Sequence, residues 1–183
     1  AQATITGGTN TIVGAYAHTT ADDSAAANGF GYNIAAIAGY TTVGAGNDDI
    51  RAPHGNVTWS TISDERVKKD ITDSTAGLSF INDLRPRTFK YKNKGDLPEE
   101  FSGYEEGSTE VYKNSNIHHG FIAQEVKAAI DSHSEITDGF KMWNVRETGA
   151  QEVGEAAVIP ILVKALQELS AKNDALEARL TTL

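Results

Sequence analysis

Residues 159–183 read IPILVKALQELSAKNDALEARLTTL, and their apolar side chains recur in steps of three and four residues. Eight positions follow these steps without a break: Ile159, Leu162, Leu166, Leu169, Asn173, Leu176, Leu180 and Leu183. They alternate between the a and d positions of a heptad repeat, by which helices wind around one another. Gln167, Glu168 and Asp174 lie on other faces. The pattern predicts a parallel coiled-coil helix over residues 157–183. A single helix that packs on its own domain is the alternative.

The polar residues near the seam indicate how the helices are aligned. Asn173 occupies an a position, where a partner in a shifted register would leave its amide buried without a hydrogen bond. Lys172 at g and Glu177 at the next e position can pair between parallel chains. Heptads alone do not distinguish two chains from three.

Residues 1–62 differ in composition from the rest of the chain. They hold nine of its 17 glycines and a single basic residue, Arg51. Short apolar stretches end at Gly14, Gly39 and Gly44, a pattern typical of short stacked strands. The side chains are too small to fill a private core, whereas three copies wound together would bury more apolar surface. The segment therefore predicts stacked short strands that are intertwined among chains. A flexible linker is the alternative.

Residues 63–183 have the pattern of an ordinary mixed domain. Helical periodicity predicts helices over residues 76–84 and 121–130, the first with Asp73 or Ser74 as its N-cap. Alternation predicts strands over residues 88–92 and 140–145. Residues 93–116 are polar and predict a loop with a hairpin near Val111. The fold class expected for the whole chain is α+β.

Composition excludes several classes of function. The net charge of −9 argues against nucleic acid as a partner. No apolar run reaches the roughly 20 residues that a membrane span requires. The chain has no cysteine, and the adjacent His118 and His119 point apart, so we expect neither a metal site nor a cofactor.

Four sequence motifs together resemble a known family. They are SDERVKKDI at residues 63–71, LRPRTFKY at 84–91, HGFIAQEV at 119–126 and ILVKALQEL at 161–169. Their types and order are similar to those of the intramolecular chaperone domain of peptidase family S74, found at the C-termini of endosialidase tailspikes and many phage tail fibres. Val67 departs from the pattern, in which leucine is commoner. The resemblance implies a homotrimer in which residues 1–62 are the end of a β-structured fibre shaft or tip and residues 63–183 form the chaperone.

The resemblance also implies that the chain cuts itself between Ile62 and Ser63, with Ser63 and Lys68 as catalytic residues. A serine hydroxyl can attack the preceding carbonyl through a five-membered ring, and an uncharged lysine can take its proton. The ester so formed is then hydrolysed; direct attack by an activated water is the alternative. Burial or the cationic neighbours Arg66 and Lys69 would favour the uncharged amine.

The spacing of Ser63 and Lys68 raises a geometric question. Five residues turn about 140° on a regular helix, so the two side chains would not face each other. Either the segment is not helical, or the lysine comes from another protomer. Other polar residues of the motifs are candidates for orienting the site or contacting other chains: Asp64, Arg66, His119, Gln124 and Glu125. For Gln124 and Glu125, a solvated helix face is the alternative.

The function expected from the resemblance is an intramolecular chaperone for a phage tail fibre or tailspike. It would drive trimerisation and folding of the upstream segment, its client, and then release itself as a single-turnover serine peptidase without an external substrate. The part before Ser63 would belong to the virion tail fibre, whereas the chaperone would be made in the host cytoplasm and released after cleavage. A fibre tip that binds a host surface receptor, with the chaperone as an accessory, is the alternative.

Overall fold

The computed structural model describes residues 8–136 and 140–182. The chain divides into two compact units, Ala1–Ile71 and Thr72–Leu183. The first unit therefore includes nine residues beyond the boundary predicted between Ile62 and Ser63, and that functional boundary stays a prediction.

Six short strands build the described part of the first unit. They are β1 (Thr11–Val13), β2 (His18–Thr19), β3 (Asn28–Tyr32), β4 (Ala35–Ala36), β5 (Tyr40–Ala45) and β6 (Asp48–Pro53). One sheet has the order β1-β3-β5-β6, in which the first three strands are parallel and β6 returns antiparallel to β5. A second, two-stranded sheet pairs β2 with β4 in parallel.

Parallel pairing stacks successive turns of the chain into coils. Asn28 lies opposite both Thr11 and Thr41, and His18 lies opposite Ala35. The interior is narrow and filled by small or medium side chains: Ala27, Ile34, Ala36 and Thr42 are fully buried. The strands are stacked as the sequence indicates. They pair within one chain, however, so this pairing does not require intertwining with other copies.

A column of glycines lets adjacent coils approach closely. Gly31 lies opposite Gly44, and both have positive φ, at 144° and 152°. A Cβ added to Gly31 would lie 1.8 Å from the carbonyl oxygen of Gly44, and one on Gly14 would lie 1.7 Å from that of Gly31. A Cβ added to Gly44 would likewise lie 2.3 Å from the carbonyl oxygen of Asp48. Overlap with the neighbouring backbone therefore explains the glycines that end the apolar stretches at Gly14 and Gly44.

The outer face of the large sheet carries a row of apolar side chains. Val13 lies opposite Phe30, Phe30 opposite Val43, and Val43 opposite Ile50. Their exposed fractions are 56%, 40%, 38% and 45% in the same order down the row. We call these four residues the apolar ladder.

The second unit is a mixed α/β domain. Its elements are α1 (Leu78–Asp83), β7 (Arg87–Phe89), β8 (His118–Gly120), α2 (Ala123–Ser132), β9 (Trp143–Val145), β10 (Gln151–Val153) and α3 (Ile159–Leu180). Short 3₁₀ turns lie at Lys94–Asp96 and Glu155–Val158. β7 pairs with β8 and β9 with β10, both antiparallel. Phe80, Val126, Met142 and Ile161 form the centre of the core.

The start of α1 differs from the prediction. Its N-cap is Gly77, not Asp73 or Ser74, and it makes no side-chain cap of its own. Instead, Glu168 of α3 accepts a hydrogen bond from the Leu78 amide at 2.9 Å. A Cβ on Gly77 would lie 2.6 Å from Glu168 Oε1, so glycine leaves room for this carboxylate. Packing of α3 on α1 therefore supplies the cap from a distant part of the sequence.

Helix α3 presents two different faces. Ile161 and Ala165 are buried in the core of the unit. The apolar residues of the predicted seam are exposed in the single chain, with exposed fractions between 39% and 71%: Ile159, Leu162, Leu166, Leu169, Leu176 and Leu180. Asn173 is also exposed and donates to Glu177 Oε1 at 3.1 Å. Leu183 lies outside the described residues.

The seam leucines are therefore not the residues that fix α3 to its own domain. Helix α3 does pack on its own unit, as the alternative to a coiled coil supposes, but it does so through Ile161 and Ala165. The coiled coil stays a prediction. No helix among residues 8–136 and 140–182 has the length and hydropathy needed to cross a membrane.

Candidate functional site

Ser63 and Lys68 meet at a single turn in the first unit. Residues Glu65–Val67 form one turn of 3₁₀ helix, and Asp64 and Lys68 on either side have extended backbone. The chain therefore doubles back over five residues, and Lys68 Nζ donates a hydrogen bond to Ser63 Oγ at 2.7 Å. The segment is not a regular α-helix, and one chain suffices to bring these two side chains together.

A second pair of side chains closes this turn. Asp64 Oδ1 accepts hydrogen bonds from the Arg66 amide and from Arg66 Nε, each at 2.9 Å. Arg66 Nη2 donates to Asp64 Oδ2 at 2.6 Å, which completes a bidentate ion pair. The Arg66 side chain lowers the pKa of Asp64 to about 2, with a further contribution from its amide. The same contact raises the pKa of Arg66.

The electrostatics of the turn correct one expectation about Lys68. Arg66 was expected to act as a cationic neighbour, but its charge is offset by Asp64 at hydrogen-bond distance. Residues 61–70 are all exposed in the single chain. Base catalysis needs an uncharged amine, and removal from water is the other means of favouring that form.

The remaining predicted orienting residues lie in the second unit. Glu125, near the start of α2, accepts from Arg87 Nε at 2.9 Å and from Arg87 Nη2 at 2.5 Å. Arg85 is a weaker third partner at 3.4 Å. Arg87 lowers the pKa of Glu125, as expected for a bidentate pair. This carboxylate thus ties α2 to β7 rather than lying on a purely solvated face.

Among the residues that the structure describes, His119 and Gln124 make no comparable contact. Both are exposed, His119 on β8 opposite Thr88 and Gln124 on the first turn of α2. Their proposed roles in orienting the site or in contacts between chains stay predictions. Within the described ranges, no group of three or more His, Cys, Asp or Glu is placed to hold a metal ion.

The structure also reveals a buried titratable residue that the sequence did not single out. His133, at the C-cap of α2, is only 8% exposed. Its Nε2 lies 2.7 Å from Asp83 Oδ2 and its Nδ1 lies 2.8 Å from Glu135 Oε1. Its ring packs edge-on against Phe80. Asp83 and then Glu135 raise the pKa of His133. Asp83 lies 50 residues away in sequence, so no local pattern indicates this contact.

Comparison with known proteins places part of the chain in a class. Residues 63–134 match the family model of peptidase family S74, described as chaperone of endosialidase. The match begins at Ser63 and includes the first three of the four motifs, so the predicted resemblance is confirmed for this segment. The family name joins a chaperone to a peptidase, in agreement with a serine–lysine contact at the start of the matched segment. No curated protein and no solved structure matches the chain.

Proposed function

We propose that residues 63–183 are an intramolecular chaperone that assembles three copies of the chain and then releases itself by cutting between Ile62 and Ser63. The observation that carries this proposal is the 2.7 Å hydrogen bond between Lys68 Nζ and Ser63 Oγ. It lies at the first residue of the segment that matches the chaperone family. Ile62 immediately precedes it and is exposed, so the bond to be cut is not buried in its own unit.

The chemistry follows from the two side chains. Ser63 Oγ attacks the carbonyl carbon of Ile62 through a five-membered ring, while its proton passes to Lys68 Nζ. The C–N bond then breaks, and Lys68 returns the proton to the departing amide nitrogen of Ser63. This leaves Ile62 joined to Ser63 by an ester. Water hydrolyses the ester and gives a carboxylate at Ile62 and a free amine and hydroxyl at Ser63.

Assembly is supported by the unpartnered face of α3. Its seam side chains have exposed fractions between 39% and 71%, while other residues of the same helix hold it to the domain. Association of helices would remove this apolar surface from water. The number of three comes from the family resemblance, because heptads do not specify it.

Assembly would also favour the chemistry. Lys68 is exposed in the single chain, and water stabilises the ammonium form, which cannot accept a proton. A neighbouring chain that covers the turn would disfavour the charged form. Cutting would then follow assembly, which suits a chaperone that must not release its client early.

The fold of the first unit supports its proposed role as the client of this chaperone. Its parallel strands pair residues more than a dozen positions apart, and such non-local pairing folds slowly and exposes edges on the way. Joining three chains through α3 raises their local concentration during this step. Removal of the chaperone would then leave the fibre kinetically trapped. The client part would stay in a phage tail fibre or tailspike, and the chaperone would be released in the host cytoplasm.

Denaturing electrophoresis with intact-mass measurement tests this function. The wild-type chain should yield two fragments, residues 1–62 and 63–183. Ser63→Ala should leave one chain of 183 residues. Lys68→Ala should also stay uncut but still assemble, because Lys68 is exposed and outside both cores.

Lys69→Ala is the matched control. It removes the same charge from the next residue, whose expected part is only to favour the uncharged amine of Lys68, so it should still be cut after Ile62, at a reduced rate at most. An assembled wild-type chain that stays intact on prolonged incubation, or a boundary elsewhere, would overturn the proposed cut. Normal cutting of Lys68→Ala would remove that residue from the role of base.

A further inference from the structure

Asp64 makes more contacts than any other side chain described in the turn around Ser63. Its carboxylate accepts from the Arg66 amide, from Arg66 Nε and from Arg66 Nη2. We propose that Asp64 is a positioning residue of the self-cleaving site. By capping the turn Glu65–Val67 and holding Arg66, it keeps Lys68 Nζ at Ser63 Oγ. This inference rests on the proposed function, since it concerns the same reaction.

The turn needs such a tie because burial does not hold it. Residues 61–70 are exposed, and the 3₁₀ turn has no buried residue. Its backbone is closed by two hydrogen bonds, from Val67 to Asp64 at 3.2 Å and from Lys68 to Glu65 at 3.0 Å. A single turn in water is populated in both its formed and its open state. The reason is that the free energy of its few hydrogen bonds is offset by the conformational entropy lost when several residues are ordered.

Opening of the turn would separate the two reacting side chains. Lys68 follows the turn directly and has extended backbone, so the direction of its side chain depends on whether the turn is closed. Intramolecular reactions owe their rate to held geometry, and small displacements reduce it strongly. The rate of cutting should therefore be proportional to the fraction of chains in which the turn is closed.

The two parts of the Asp64 contact can be separated by substitution. Asparagine keeps a side-chain oxygen that can accept from the Arg66 amide, and it is a good cap. It cannot form the bidentate ion pair with the guanidinium. Alanine removes both parts. Glu65 lies in the same turn, carries the same charge and has no side-chain hydrogen bond among the contacts of the described residues, so Glu65→Gln matches the change in charge alone.

The experiment measures the rate of cutting in the assembled full-length chain as a function of pH. In Asp64→Ala we expect the plateau rate at high pH to fall about fivefold, which corresponds to the usual cost of a lost cap. Asp64→Asn should fall less, and Glu65→Gln should cut at the wild-type plateau rate. The midpoint of the pH profile should differ little between Asp64→Ala and Glu65→Gln, because a positioning residue changes the plateau. Light scattering checks that each variant is assembled.

Two results would overturn the inference. One is an assembled Asp64→Ala chain that cuts at the wild-type plateau rate. The other is an equal effect of Asp64→Ala and Glu65→Gln, which would point to charge alone.

A second measurement separates this inference from the proposed reaction. In the Ser63→Ala background nothing is cut, and amide hydrogen exchange at Lys68 reports whether the turn is closed. Adding Asp64→Ala should speed that exchange several-fold, and adding Glu65→Gln should not. Unchanged exchange would refute the positioning role even if the wild-type chain proved not to cut itself. If Asp64→Ala speeds the exchange but the wild-type chain is never cut, the proposed reaction is refuted. The role of Asp64 in closing the turn is then still supported.

Discussion

Replacement of Leu166 and Leu169 by aspartate should abolish assembly and leave the second unit folded. Both side chains lie on the seam of α3 and are 65% and 52% exposed in the single chain. Full burial of a leucine is worth about 1.5–3 kcal/mol, so hiding the exposed part contributes about 1–2 kcal/mol for each residue. Across six leucines in a trimer the total is roughly 6–12 kcal/mol.

The aspartates add a second penalty. Each carboxylate that is buried in the seam without a partner weakens association by roughly several kcal/mol. The fold of the single chain should change little, because Ile161 and Ala165 on the buried face are untouched. Loss of assembly should therefore not be accompanied by unfolding.

The assay combines light scattering, circular dichroism and denaturing electrophoresis at micromolar concentration. The double variant should be a folded monomer that is not cut, although Ser63 and Lys68 are both intact. Gln167→Asp with Ala171→Asp is the matched control, since it adds the same two charges at exposed positions off the seam. If the variant with both aspartates is still a trimer, the heptad face of α3 is not the contact between the chains. A monomer that cuts at the wild-type rate would refute the order of assembly before cutting.

Two further predictions concern buried charge and the first unit. Asp83 raises the pKa of His133 in the folded chain above its ordinary value of 6.5. The contact between them therefore stabilises the fold fully below about pH 6.5, and this stabilisation is lost as the pH rises through the pKa of His133 in the folded state. Thermal unfolding of the uncut chain should show this decline, and Asp83→Asn should flatten it; an unchanged slope would contradict the assignment. Phe30→Asp should weaken the association of three copies of residues 1–62. Phe30 lies in the apolar ladder, which is expected to be covered by the other chains, and it is 40% exposed in the single chain. If fragments 1–62 that carry Phe30→Asp remain trimeric after cutting, the apolar ladder is not a contact between chains.

Local sequence patterns predicted the elements whose spacing reflects their own burial. The periodicity of residues 121–130 corresponds to α2 at Ala123–Ser132, and that of the C-terminal region to α3 at Ile159–Leu180. The alternation at residues 88–92 corresponds to a shorter strand, Arg87–Phe89. These patterns are local because a helix or strand turns the same residues toward the same neighbour along its length.

Contacts between distant residues account for what the sequence did not predict. The cap of α1 comes from Glu168, ninety residues beyond Leu78. His133 is paired with Asp83 from another helix. In the first unit, short strands separated by glycine indicated stacking, but not that the stacked strands pair in parallel within one chain. At the site, the motif supplied Ser63 and Lys68, whereas their meeting depends on a 3₁₀ turn that the spacing alone left open.

Mixed trimers decide whether Lys68 serves its own chain. The hydrogen bond from Lys68 to Ser63 lies within one chain, so we expect each chain to cut only itself. In that case Ser63→Ala and Lys68→Ala chains, expressed together, should give mixed trimers that stay intact, since neither chain carries both residues. If the base comes from a neighbour, the Lys68→Ala chains should be cut by trimers that also contain Ser63→Ala chains.

Tags of different mass identify the cut chain, and copurification through one tag shows that mixed trimers form. Wild-type chains mixed with Ser63→Ala chains are the control, and only the wild-type chains should be cut. Cutting of Lys68→Ala chains in mixed trimers would refute the intrachain site. Such a result would mean that the turn rearranges on assembly, because the Ser63 hydroxyl would have to exchange its own lysine for one across the interface.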